Sequence, residues 1–411
     1  MNLPFFIAKK ISTNKQSSFS KFILKLATIA TTLSVAVMIV AVAVVQGFKI
    51  KIREKMFVFW GEVQVNNFQA NPSSIIGSTP FVQNEKLRNQ ILSVNGVKSV
   101  YPYVIKPVIL KAENTLEGIK LKGIDFSYPQ HSTDAIQFKG EAIQFSDSTY
   151  SNDIIISETT LNRLNLKIGA NVLAVFFNPD KTSPSVRKLK VSGTYHTGME
   201  EVDQGFSFCD IRLLQQINEW SPSEVSALQV EIKDYKAAGE ISNTIYQQYL
   251  QPPLTASSIE EVYPFIFSWL DFQNTNAALI IIIMAIVAAI NMATALLIYI
   301  LERTQMIGIL KSMGMTNINI RSIFMVHIFK VALKGVILGT IFGLAICAVQ
   351  YYFQPFQLNE EIYYMKAAPV AIRAVDIILI DLVTLMFCMV IMFLPALIIR
   401  RINIVKALRF K

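Results

Sequence analysis

The sequence predicts a membrane α-helical protein: four transmembrane helices, with a large α+β extracytoplasmic domain inserted between the first and the second. Three observations predict it. The 411 residues are 52% hydrophobic and only 16% charged, where a soluble domain carries about 25% charged residues. Four apolar runs, 26–45, 277–301, 323–352 and 374–399, reach the roughly 20 residues that a helix needs to cross the hydrocarbon core. Between the first two lies a long stretch of alternating and short-period apolar segments, punctuated by Pro, Gly and Asn, which reads as strands and short helices.

Residues 1–25 are basic and free of acids. Lys9, Lys10, Lys15, Lys21 and Lys25 interleave with Phe5, Phe6, Ile7 and Ile11, the pattern of a cytoplasmic segment with a short interfacial helix. The first span occupies 26–47. Ala41-Val42-Ala43 has the form of a signal-peptidase site, but the apolar run is longer than a signal core and starts late, so it is expected to stay as a span. Lys49, Lys51, Arg53 and Lys55 flank its far side, so the charge bias of this span alone does not orient it.

The insertion covers 48–272. Residues 61–68 alternate as a strand, and 97–124 hold several β-rich runs. A strand at 153–156 leads into Ser157, which caps a helix to about 164. Strands at 172–177 and 187–195 flank the loop Asn178-Pro179-Asp180-Lys181-Thr182-Ser183-Pro184. A helix at 210–218, a strand at 225–232 and a helix at 235–250 follow. The insertion is long enough for one domain or two lobes.

The second span, 273–301, has Asn291 as its one strongly polar side chain. Next, in 302–320, comes Glu302-Arg303-Thr304-Gln305-Met306-Ile307-Gly308-Ile309-Leu310-Lys311-Ser312-Met313-Gly314-Met315. On a helix Met306, Ile309, Leu310 and Met313 make one apolar stripe, with Lys311 and Ser312 off it. Gly314 ends such a helix and Thr316 caps the next. A helix this short needs a partner surface; the competing reading is an ordinary amphipathic cytoplasmic loop. The third span, 321–352, carries Gly335, Gly339 and Gly343 at four-residue spacing, a row that lets another helix approach closely. Lys330 and Lys334 are placed to snorkel. A loop at 353–373 with Pro355, Glu360, Glu361 and Pro369 returns the chain to the fourth span, 374–399. The tail, 400–411, adds Arg400, Arg401, Lys406, Arg409 and Lys411. This tail and the basic 302–320 loop share one side of the bilayer. The expected topology therefore has both termini cytoplasmic and the insertion outside.

The chemistry that the sequence excludes is informative. The net charge of +9 sits beside apolar runs, which suits membrane topology and anionic lipid rather than nucleic acid. Cys209, Cys347 and Cys388 form no disulfide framework. His131, His196 and His327 lack metal-ligand spacing, so no metal site is expected. No phosphate-binding Gly-Lys loop is present, and no nucleophile, base and metal cluster assembles, so the chain is not expected to be an enzyme by itself. Asp381 inside the fourth span reads either as a proton or ion site or as a residue paired with Lys330, Lys334 or a polar group on a neighbouring span. The pairing is favoured, because a lone acid makes a poor relay.

The 302–314 segment resembles the coupling helix of FtsX-like ABC-transporter permeases, whose pattern is E-R/K-x-x-x-I-G-I-L-K-x-M-G. The order of one span, a large external domain and three spans is similar to the FtsX/MacB-type architecture along essentially the whole chain. Gln46-Gly47-Phe48 with Trp60-Gly61-Glu62-Val63-Gln64-Val65 looks like the N-G-F … G-H-V pattern of the lipoprotein-releasing (LolC/LolE-type) permeases. Ser192-Gly193-Thr194-Tyr195, Glu201-Val202-Asp203, and the ending Pro395-Ala396 … Ile404-Val405-Lys406-Ala407-Leu408-Arg409-Phe410 are similar to the same group.

The resemblance implies a bacterial inner-membrane permease subunit that extracts lipoproteins from the outer leaflet and passes them to a periplasmic chaperone. It implies two cytoplasmic ABC ATPase subunits that hold the ATP and Mg, with no cofactor on this chain, and a second permease, either a copy or a paralogue. Coupling falls to Glu302, Arg303, Met306, Ile307, Gly308, Leu310, Lys311, Met313 and Gly314. The substrate cavity falls to Val40, Val44, Gly47, Phe48, Met284 and Asn291. The loop with Asn178, Pro179, Asp180, Lys181 and Pro184 stands at the place of the family's chaperone-binding hook, in shorter form. MacB-like efflux of an antibiotic or peptide, and FtsX-like signalling to a cell-wall hydrolase, are the alternatives.

Overall fold

Four helices carry the apolar runs in the computed structural model, which describes residues 18–68, 79–113, 115–130, 136–147, 149–178, 183–397 and 399. They are α1 (Ser18–Trp60), α2 (Pro264–Glu302), then beyond the short α3 (Thr304–Ser312), α4 (Asn317–Phe353) and α5 (Ala374–Ala396). Each is long and apolar enough to cross a membrane. Three outlast the run that predicts them, α4 starting at Asn317, ahead of residue 323. α1 continues past residue 47 to Trp60, and α2 begins at Pro264, because the polar flanks stay helical and Pro is well suited to a first helical turn. Two compact units result. One comprises the apolar helices, up to residue 50, 269–357 and from 367; the other comprises 51–268 with 358–366.

In the membrane unit, the glycine row of α4 is used against α1. A Cβ on Gly335 would stand 2.9 Å from Thr31 Cβ, one on Gly339 2.7 Å from both Thr32 O and Val35 Cβ, and one on Gly343 3.2 Å from Ala36 Cα. Backbone meets backbone there, and Thr32 Oγ1 donates across to Gly335 O at 3.2 Å. This is the small-residue packing that apolar solvent requires, where the hydrophobic effect gives no net drive between helices. A larger buried cluster joins Met292, Leu296, Ile300, Phe324, Ile328 and Met392. Asp381 accepts from the Thr340 hydroxyl on α4 at 2.9 and 3.0 Å. Its described partner is therefore a polar group on a neighbouring span rather than Lys330 or Lys334.

The outer unit is built on a mixed sheet. Its strands are β1 (Val63–Asn67), β2 (Phe81–Val82), β3 (Val97–Ala112), β4 (Thr115–Ile124), β5 (Gln137–Gly140), β6 (Asp153–Ser157), β7 (Asn171–Phe176), β8 (Ser185–His196), β9 (Phe206–Asp210), β10 (Glu224–Val225), β11 (Ala227–Ile232) and β12 (Leu254–Ser258). The main sheet runs β12-β1-β11-β3-β4-β9-β6-β8-β5. β7 bridges β3 and β8, and β10 pairs β2 separately. Helices Glu85–Leu92, Ile211–Asn218 and Ala238–Tyr249 cover it. Their apolar faces close one core around Val100, Leu110, Leu121, Ile156, Leu214, Leu228 and Ile245. The predicted cap at Ser157 is present, accepting from Thr160 N–H, and Asp210, expected as the first residue of a helix, instead caps it by accepting from Arg212 N–H.

Candidate coupling site

α3 is closed at its C-terminal end. Gly314, at φ +86°, turns the chain out of the helix, with its N–H donating to Lys311 O at 3.0 Å and Met315 N–H to Leu310 O at 3.0 Å. A side chain is strained at that φ, which is why glycine stands there. Thr316 then caps α4 by accepting from Asn319 N–H at 3.4 Å, as the sequence predicts.

The faces of α3 divide differently from the expected stripe. Ile307 is fully buried and Gly308 buried. Met306 and Leu310 are half-buried against the cluster of Leu296, Tyr299, Ile300, Phe324 and Met392. Ile309 and Met313 point outward, 46% and 78% exposed, and Ile318 at the start of α4 is 73% exposed. The apolar periodicity thus serves two masters: one edge packs on the chain's own helices, and the other is open. Gln305, Ile309, Ser312 and Met313, at i, i+4, i+7 and i+8, form the open face. Lys311, which the periodicity sets off the stripe, donates from Nζ to Ile399 O at 2.8 Å and ties the helix to the end of the fourth span. Glu302 is exposed and Arg303 half-buried at the α2–α3 junction. Truncating Ile307 to Ala is expected to destabilise the membrane unit by about 2–5 kcal/mol, the usual cost of emptying a filled apolar site. A thermal-unfolding series in detergent checks it.

The six residues assigned to a substrate cavity differ in their surroundings. Gly47 is packed against the backbone at Pro369 and Val370, 2.6 and 2.8 Å from its notional Cβ. Phe48 stacks edge-on to Trp269 at 6.4 Å. Met284 packs with Val35, Met38, Ile39 and Val336. Val40, Val44 and Asn291 are half-exposed. In the loop between β7 and β8, Asn178 is a structural anchor: Oδ1 accepts from Lys106 Nζ at 2.6 Å and Nδ2 donates to Ile217 O at 2.8 Å. Pro184 is exposed. Pro179, Asp180 and Lys181 lie outside the described residues.

A charged cluster that the sequence does not reveal lies in the outer unit. Residues 358–366, from the loop between the third and fourth spans, fold as part of that unit. His196 Nε2 lies 2.7 Å from Glu360 Oε1, and Nδ1 lies 3.2 Å from Asp203 Oδ2. Asp203 is itself fixed by accepting from Thr197 N–H, Gly198 N–H and the Thr197 hydroxyl. Lys55 Nζ donates to Thr197 O and Tyr364 O. Tyr364 Oη reaches Glu201 at 3.3 Å, and Lys366 lies 3.7 Å from Glu360. Gly198, at φ +71°, leaves room for Glu360, whose Oε1 would be 2.8 Å from a Cβ.

The two carboxylates, Asp203 foremost, hold the His196 pKa above its ordinary 6.5. The sign follows directly: a His raised in the folded state stabilises fully below its unfolded pKa, and that contribution is lost as pH rises through the folded value. Thermal stability of the full chain is therefore expected to fall from about pH 6 upward through this group. His196→Gln should flatten that part of the profile.

The MacB-like periplasmic core domain model matches residues 25–247, and the FtsX-like permease C-terminal model matches 278–404. The lipoprotein-releasing system transmembrane protein LolC of Neisseria meningitidis is 21% identical over 91% of this chain and 91% of its own length. LolC of Xylella fastidiosa is 20% identical, over 98% and 97%. LolE of Haemophilus influenzae is 18% identical, over 96% and 96%. Among solved structures, the periplasmic region of MacB from Actinobacillus actinomycetemcomitans aligns at 13% identity, covering 50% of this chain and 91% of its own, with a TM-score of 0.33. With one family model spanning more than half of the chain and a second covering the later spans, this protein belongs to the FtsX-like, MacB-type family of ABC-transporter permeases.

Proposed function

We propose that this chain is the permease subunit of a lipoprotein-releasing ABC transporter of the bacterial inner membrane. It takes lipoproteins from the outer leaflet and passes them to a periplasmic chaperone. The observation that carries the reading is near full-length similarity to lipoprotein-releasing permeases, 91–98% of this chain and 91–97% of theirs. The termini and α3 are cytoplasmic in this reading, and the β-rich unit is outside.

The physical task fits an ATP-driven machine. Moving acyl chains into water costs about 0.8 kcal/mol per CH₂, so a multiply acylated cargo needs both external work and a shielded handover. ATP and Mg belong to two partner ATPase subunits in this reading. The open face of α3, Gln305, Ile309, Ser312 and Met313, is the surface that enters the ATPase groove. Ile307 and Lys311 make α3 stiff enough to pass a push on to α2, α4 and α5. A second permease, copy or paralogue, completes the cavity, with Val40, Val44, Met284 and Asn291 contributing from α1 and α2.

Depletion of the chain in its native host tests the reading. Acylated lipoproteins destined for the outer membrane should accumulate in the inner-membrane fraction of a density gradient. Unchanged sorting under full depletion rules it out.

A further inference from the structure

The last turn of α1 ends inside the outer unit, where its final carbonyls need donors. Gly61 supplies the first: at φ +74° its N–H donates to Phe57 O at 2.7 Å. The others come from the sheet and from the turn that follows β4. Tyr128 Oη donates to Val58 O at 2.8 Å, and Gln229 Nε2 reaches the same carbonyl at 3.4 Å. Lys122 on β4 donates from Nζ to Phe59 O, and to Gln229 Oε1 at 2.8 Å.

The surroundings of Lys122 are unusual for an ammonium. The side chain is fully buried. Its Nζ lies 5.0 Å from the ring centre of Phe59, 5.7 Å from Trp60, 4.8 Å from Tyr103 and 4.9 Å from Tyr128. Among the described residues no carboxylate forms an ion pair with it. Burial pushes its pKa well below the ordinary 10.5. Four aromatic faces and the negative end of a helix are what favour a cation here. An apolar residue would fill this space without desolvating a charge. What lysine adds is direction: a donor aimed at the end of α1 from the middle of the sheet. The joint is tight on the other side too, since a Cβ on Gly61 would meet Gln229 Cγ at 2.6 Å.

We propose that Lys122 is a positioning residue: with Tyr128 and Gln229 it fixes the end of α1 to the sheet, so that movement of α1 reaches the outer domain without slack. The proposal rests on the reading of the chain as a motor-driven permease. Its test is a distance measurement that does not depend on the cargo. Nitroxides on Glu54→Cys in α1 and Lys188→Cys in β8, in the full chain assembled with its ATPase in nanodiscs, report the joint with and without ATP.

The expected result is one narrow distance distribution, the same in both nucleotide states. Lys122→Met should broaden it and slow ATP-dependent transport at least tenfold, while ATPase activity is kept. A narrow distribution in Lys122→Met, or a wild-type distance that shifts with nucleotide, overturns the proposal. If Lys122→Met does not fold, Tyr128→Phe, which removes only the hydroxyl donated to Val58 O, should broaden the distribution, and an unchanged distribution overturns the proposal equally. Loss of the lipoprotein reading with a rigid joint intact would leave this inference standing.

Discussion

Ile309→Asp combined with Met313→Asp is expected to abolish ATP-driven transport while leaving the chain folded in the membrane. Both side chains are already exposed, 46% and 78%, so a carboxylate at either position disturbs little of the chain's own packing. In the proposed complex both become buried in a partner groove. An apolar anchor at the centre of such an interface is worth about 2 kcal/mol or more. Losing two, and burying two acids in their place, weakens docking by up to about a thousandfold. Co-purification with the ATPase and transport should both be lost, with the chain's own thermal unfolding unchanged. The contrast with Leu310→Asp separates the two edges of α3. Leu310 is half-buried against the membrane core, so its acid variant should fail by unfolding.

Gly339→Leu carries the second large effect. Even the first carbon of a side chain at this position would stand 2.7 Å from a backbone oxygen of α1 and 2.7 Å from Val35 Cβ. Neither neighbour is the far end of a flexible chain, so α1 and α4 have to separate along the whole glycine row. Overpacking of this kind costs about 1–3 kcal/mol or more, and here it also breaks the Thr32–Gly335 hydrogen bond. The thermal midpoint in detergent should fall by several degrees, with Gly339→Ala intermediate. Equal stability of Gly339→Leu and wild type would mean that the two helices do not pack through this face.

How much of this was legible in the sequence depends on the range of the interaction. The four spans follow from uninterrupted apolar length, and α3 from a periodic stripe between a charged pair and a glycine. Which edge of the stripe faces inward was not legible. Met306, Ile309, Leu310 and Met313 are equally apolar, and only the packing of α2, α4 and α5 separates Leu310 from Ile309. The glycine row announced a close helix contact but not its partner, α1. In the outer unit the cap at Ser157 is readable because its hydrogen bond is local. β9 was not, because its five residues, Phe206–Asp210, directly abut the helix Ile211–Asn218 and offer too short an alternation. The charged cluster was unreadable for another reason: His196 and Glu360 are 164 residues apart, and a lone His and a loop Glu carry no local signal. Lys122 carries no local signal that sets it apart from the other lysines of the β-rich 97–124 stretch.

The central claim is that this chain, driven by a separate ATPase, releases lipoproteins from the membrane. The most direct measurement reconstitutes it with that ATPase and its partner permease in proteoliposomes containing a labelled triacylated lipoprotein. ATP-dependent transfer of the label to a soluble chaperone is the readout. The account predicts transfer that requires ATP and disappears in the Ile309→Asp/Met313→Asp variant. Vigorous ATPase activity with no transfer of lipoprotein would contradict it and turn the search toward peptide efflux or signalling.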